Sequence, residues 1–225
     1  METTDLKIVE NKENLKVGTV LGIVFISFIV IFFILFLGIT LYISSSDKII
    51  TGIYIKGVEV AGLTKEQAIE KVTNEFNNVL PNNLTVVHGE YETQLNLDDL
   101  GANLNIEEAV DRAYNIGRDG NIFKNMGTII KNLVSVNDLD LNVTVNTEQC
   151  TSILNDISTK LPDTVVQSSY YVEGNKLIIT RGKSGNVVDV TPSIENIKNK
   201  IQDLTYASSK IELVTVAKDP DAIDI

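Results

Sequence analysis

Hydrophobic and polar residues follow two short periods along most of this chain, and one segment follows neither. Val17 to Ile43, "VGTVLGIVFISFIVIFFILFLGITLYI", is 27 residues without a charge. As a helix it would run about 40 Å, enough to cross a hydrocarbon core of roughly 30 Å with tilt. Ser44-Ser45-Ser46 offers small residues where a signal peptide could be cut. The apolar run, however, far exceeds an h-region of about 7–15 residues, and the leader before it holds four acids against three lysines. The pattern predicts an uncleaved transmembrane helix over 17–43, behind a short tail over 1–16. Lys7, Lys12 and Lys16 on one side and Lys48 and Lys56 on the other are too evenly matched to orient it.

After a linker over 44–52 the short periods begin. "IYIKGVEV" from Ile53 alternates and predicts a strand. Thr64 and Gln67 form a capping box in front of a helix whose apolar stripe is Ala68, Val72, Phe76 and Val79. "LTVVH", Gly89-Glu90 and "YETQLNL" read as a hairpin. A second helix follows, with Asn105 as cap, Glu108 closing a box, and Ile106, Ala109, Val110 and Ala113 inward. A third amphipathic stretch gathers Ile122, Phe123, Met126, Ile129, Ile130 and Leu133 on one broad face, to pack within the first unit or against the second. From Leu139 the order restarts: the strand "LDLNVTV", a helix burying Cys150, Ile153, Leu154, Ile157 and Leu161, and a hairpin turning at Gly174-Asn175. Thr191 then caps a helix with Pro192 in its first turn and Ile194, Ile197, Ile201 and Leu204 inward, and "KIELVTV" closes as a strand.

The restart is a repeat. At an offset of 84, "LGANLNIEEAV" from Leu100 overlays "SGNVVDVTPSI" from Ser184, with Gly101 on Gly185, Leu104 on Val188 and Ile106 on Val190. That period exceeds the roughly 20–50 residues of solenoid repeats. The expected fold class is α+β: a transmembrane helix followed by two tandem small domains, 53–135 and 136–217, each strand, helix, hairpin and helix, with an acidic linker over 218–225.

Charge narrows the partners. The whole chain carries a net -11, and residues 44–225, with 16 Lys plus Arg and 26 Asp plus Glu, carry -10. Such a surface repels phosphate backbones, so nucleic acid is excluded as a partner. Gly182-Lys183-Ser184 ends like a phosphate-binding loop, but Leu177 stands where the first glycine is required and a β-branched run follows instead of a helix; no nucleotide is expected. Cys150, the only cysteine, lies on a core stripe, and His88 has no histidine or cysteine partner. Neither a catalytic nucleophile, a metal site nor a cofactor is predicted. The residues that folding explains least are Arg118 and Asn121 in "YNIGRDGN" and the hairpin tyrosines Tyr91, Tyr170 and Tyr171. A guanidinium fork beside glycines suits a carboxylate, and aromatic faces suit sugars.

An anchor, then "IYIKGVEVAGLTKEQAIEKV", "LGANLNIEEAVDRAYNIGRDGN" and "GKSGNVVDV", together resemble the YoaR-like peptidoglycan-binding domains of Gram-positive bacteria. The resemblance covers about 49–216. It implies paired, non-catalytic domains that bind peptidoglycan outside the membrane, with the N-terminus cytoplasmic. It also implies a C-terminal module, either VanW-type or an L,D-transpeptidase, of which this sequence shows neither the transpeptidase's histidine nor its Ser-x-Gly-Cys segment. The alternative expectation is that the pair merely spaces such a module from the membrane.

Overall fold

A computed structural model describes residues 17–222; the tail over 1–16 and the end of the acidic linker lie outside the described residues. α1 (Val17–Ser45) is one continuous helix, long and apolar enough to cross a membrane, and exposed except near its C-terminal end. The chain then forms a mixed α+β structure.

β1 (Ile53–Ile55) folds back on β2 (Val58–Glu59) and leads to α2 (Lys65–Val79). The capping box is made: Gln67 N–H donates to Thr64 Oγ1 at 3.4 Å, and Thr64 N–H donates to Gln67 Oε1 at 3.1 Å. Ala68, Val72 and Phe76 are buried as the stripe predicts, but Val79, in the last turn, is exposed. β3 (Asn83–His88) and β4 (Tyr91–Asn96) form the first hairpin. α3 (Ile106–Asn115) buries Ala109, Val110 and Ala113, but its expected capping box is absent. Asn105 is left-handed at φ 46 and turns its amide away, donating to Asn142 O at 2.5 Å. Asn142 in turn takes up Glu108.

α4 (Ile122–Val134) differs most from expectation. Its buried residues are Asn125, Ile129 and Asn132, while Phe123 and Leu133 of the predicted inner face are exposed. It packs along the C-terminal part of α1, with the Phe33 and Phe123 rings 6.3 Å apart. β5 (Asn137–Leu139) pairs in parallel with β1, Ile53 opposite Asn137. α5 (Thr147–Lys160) buries Cys150, Leu154 and Ile157 as expected. The second hairpin, β6 (Ser169–Glu173) and β7 (Lys176–Thr180), pairs only with itself among the described residues. β8 (Gly185–Val188) leads into α6 (Val190–Gln202), which is preceded by Asp189 as N-cap rather than Thr191. The expected closing strand is split: β9 (Ile211–Glu212) joins β3, and β10 (Thr215–Lys218) joins β8.

β1 and β5 begin 84 residues apart, and so do α3 and α6. Yet the packing does not divide at residue 135. One core holds Ile53, Ile55, Val72, Val110 and Ile129 together with Leu141. The other combines Leu84, Val86 and Leu95 of the first hairpin with Leu154, Ile197 and Ile211 from later in the chain. Leu80 and Leu104 touch both. Alternation along a strand says that one face is apolar; it does not say which helix covers that face.

The segment expected as a linker is packed too. Ile49 and Ile50 are buried, and Ile49 N–H donates to Leu63 O at 2.8 Å. Gly52, at φ +76, lets β1 pass against α4: a Cβ there would lie 2.3 Å from the carbonyl oxygen of Asn132.

Candidate functional site

Two adjoining depressions of about 510 and 400 Å³ share Ala102 and Leu104. Together they form a groove over the junction of the two cores. α2 supplies Ile69, Thr73, Phe76 and Asn77 to one wall. The segment from the first hairpin to the first turn of α3 supplies Leu97, Asp98 and residues 102–108 to the other. Tyr206 closes one end, and its hydroxyl donates to Pro81 O at 3.2 Å.

The floor is apolar because these side chains are the edges of both cores; the rim is polar because it consists of helix ends and turns. Asn82 Nδ2 donates to Asp98 Oδ2 at 3.1 Å, and Asn103 Oδ1 accepts from Asn105 N–H at 2.8 Å, so part of the rim is held in place. Thr73, Asn77 and Glu107 line the groove without side-chain hydrogen bonds among the described residues. Asp98, Glu107 and Glu108 are its charged groups, with no lysine or arginine in the lining among the described residues. The groove therefore suits hydroxyl, amide or ammonium groups and repels carboxylates.

The residues singled out from sequence do not meet in this groove. Arg118 binds the end of α1. Its Nη1 donates to Tyr114 O at 2.6 Å, and its Nη2 faces the carbonyls of Ile43, Ser46 and Lys48 at 3.0, 3.2 and 2.5 Å. The guanidinium carbon lies 4.1 Å from the centre of the Tyr114 ring. Burial lowers the arginine's pKa. α1 has no basic residue in its own last turn, so Arg118 brings a cation to the negative end of that helix, at Ile43 O and at the carbonyls of Ser46 and Lys48 just beyond it. The fork expected to meet a ligand carboxylate is thus occupied by backbone.

Asn121 is the N-cap of α4, accepting from Lys124 N–H at 3.0 Å. Tyr91 packs half-buried against the core that holds Leu84. Tyr170 and Tyr171 are exposed, on opposite faces of the free hairpin. Gly182 and Lys183 run against residues 166–168, with Lys183 bridged to Val166, so this stretch is a packed strand crossing and not a phosphate loop. Cys150 is buried, and its thiol pKa is raised by desolvation, as for an inert core thiol. Nothing in the sequence marked Thr73 or Asn77. The amides of "LGANLN" were a visible signal, taken only as part of the repeat.

A family model described as "Putative peptidoglycan binding domain" matches residues 93–206, half of the chain. The chain belongs to this family. No curated protein and no solved structure matches it. The peptidoglycan-binding domain so defined runs from β4 through the 3-10 turn at Thr205–Ala207, across both cores. It contains the α3 side of the groove and Tyr206, whereas the α2 wall precedes it.

Proposed function

We propose that this is a single-pass membrane protein, with its N-terminus cytoplasmic and its tandem α+β units extracytoplasmic, that binds peptidoglycan without catalysis. The observation that carries the reading is the family match over 93–206. α1 supports the anchor, because it exposes apolar side chains along most of its length. The groove supports the ligand class. Its apolar floor and amide rim are complementary to acetamido sugars and peptide amides, and its acids to the free amines of a stem peptide. With a net -10 beyond the anchor, attraction to an anionic wall comes from such local contacts and not from bulk charge. Tyr170 and Tyr171 add exposed aromatic faces on the second hairpin.

The test is co-sedimentation of the full chain, in detergent, with purified sacculi. The protein is expected in the pellet at low and moderate salt, with Asn77→Ala plus Glu107→Gln leaving several-fold more in the supernatant. Wild type remaining in solution throughout would sink the proposal. A second reading, that the units space a further VanW-type or transpeptidase module, is favoured by the second hairpin, whose Tyr170, Val172, Leu177 and Ile179 are exposed while the first hairpin is covered. A reading frame that continues past Ile225 into such a module would support it.

A further inference from the structure

α4 presents its polarity inside out. Asn125 and Asn132 are 6% and 5% exposed, whereas Phe123, Leu133 and Val134 are 66%, 56% and 86% exposed. The buried amides are satisfied locally. Asn125 exchanges hydrogen bonds with Gly120, accepting from its N–H at 2.9 Å and donating to its carbonyl at 3.0 Å, and Asn132 donates to Thr128 O at 2.8 Å. A helix in water is expected to show the opposite distribution, since each exposed large apolar side chain forgoes about 1.5–3 kcal/mol of burial.

The position of α4 along α1 names what covers it. Any stretch of about 20 residues, the length needed to cross a bilayer, that lies within Val17–Ser45 must include Phe33. The Phe123 ring is 6.3 Å from the Phe33 ring. Whatever register α1 takes, Phe123 therefore stands beside a residue that the hydrocarbon core encloses. Protein contacts narrow the register further. Phe36, Thr40 and Ile43, spaced four and three apart on one face of α1, lose exposure while the residues before them stay exposed. If these last turns belong to the folded part, Val17–Phe36 remains for the lipid, about 30 Å of helix and so one hydrocarbon core.

α4 then runs away from the membrane, because its far end meets β1 where Asn132 touches Gly52. At its near end Asp119 and Lys124 lie 3.5 Å apart, which offsets charge where the helix approaches the lipid.

We propose that the first turn of α4, led by Ile122 and Phe123, is seated in the interfacial layer of the bilayer that α1 crosses, so that the folded part rests on the membrane surface and not on a stalk. The partner is the lipid surface itself. The inference rests on α1 being membrane-spanning, and the experiment separates the two.

The chain contains no tryptophan, so a single introduced Trp reports its own depth. Full-length Phe28→Trp, Phe123→Trp, Val134→Trp and Tyr171→Trp variants are reconstituted into phosphatidylcholine and phosphatidylglycerol vesicles containing lipids brominated both near the top and near the middle of the acyl chains. Phe123→Trp is expected to be quenched at least half as strongly as Phe28→Trp, with Val134→Trp and Tyr171→Trp little affected. Quenching at Phe28→Trp but not at Phe123→Trp overturns this proposal and leaves the anchor standing. Absence of quenching at Phe28→Trp overturns the anchor, and this proposal with it. Each variant must keep the wild-type far-UV circular dichroism; Lys124→Trp, on the same turn at an exposed position, supplies the reading if Phe123→Trp does not fold.

Discussion

Replacing Arg118 by alanine removes a cation that ties the end of α1 to the folded part through backbone carbonyls. Nη2 carries two hydrogens and faces three carbonyl oxygens, those of Ile43, Ser46 and Lys48, while Nη1 serves Tyr114 O. Three charge-assisted hydrogen bonds are therefore lost at any moment, along with the contact over the Tyr114 ring. Hydrogen bonds to charged groups contribute about 1.5–3 kcal/mol each. The site is only partly buried, however, and water can replace some of them, so the expected destabilisation is about 2–4 kcal/mol. For a chain of this size that lowers Tm by about 5–15 °C. Thermal unfolding of the full chain in detergent, followed by circular dichroism, measures it. Arg118→Lys should recover less than half of the loss, because an ammonium lacks the planar fork. A change below about 1 °C for Arg118→Ala would refute the assignment of Arg118 as the clamp and return it to the candidates for ligand binding.

Gly52→Ala should fail more severely: its Cβ would meet the Asn132 carbonyl at 2.3 Å at a φ of +76, so a loss of about 3 kcal/mol or more is expected in urea unfolding. Asp163 predicts a pH dependence. Its carboxylate accepts from Asn186 Nδ2 at 2.5 Å and lies 3.3 Å from His88 Nε2, contacts that lower its pKa. A carboxylate with a depressed folded pKa contributes stability above its unfolded value near 3.9, lost as pH falls through the lower folded value. The Tm difference between wild type and Asp163→Ala should thus shrink in acid below about pH 4; a difference as large at pH 2 as at pH 7 would contradict it.

The elements themselves were legible in the sequence. The capping box at Thr64, both hairpins, the stripes of α2, α3 and α5, and the offset of 84 depend on contacts a few residues apart and on a copied pattern. The groove was much less so. Thr73 lies on α2 and Leu104 some thirty residues later, and only packing makes them neighbours. Arg118 stands out in the sequence because its main partners lie at the end of a helix 75 residues away, whereas Asn121 has a local explanation, the N-cap of α4, that the sequence reading passed over. Isolated polar residues beside glycines do not reveal whether their partner is a ligand or the chain's own backbone.

Period, length and charge are local quantities, so the sequence records an apolar segment long enough to cross a membrane, an α+β alternation, a pattern that recurs at an offset of 84 residues and a net acidic charge. Tertiary structure alone decided that the first hairpin is covered by later helices, that α4 turns its asparagines inward and its phenylalanine outward, and that Arg118 closes the end of α1. Each of these is a choice among apolar faces, or among carbonyls, that look alike along the chain. The free energy separating them comes from which surfaces can be brought together at once, which no single stretch of sequence records.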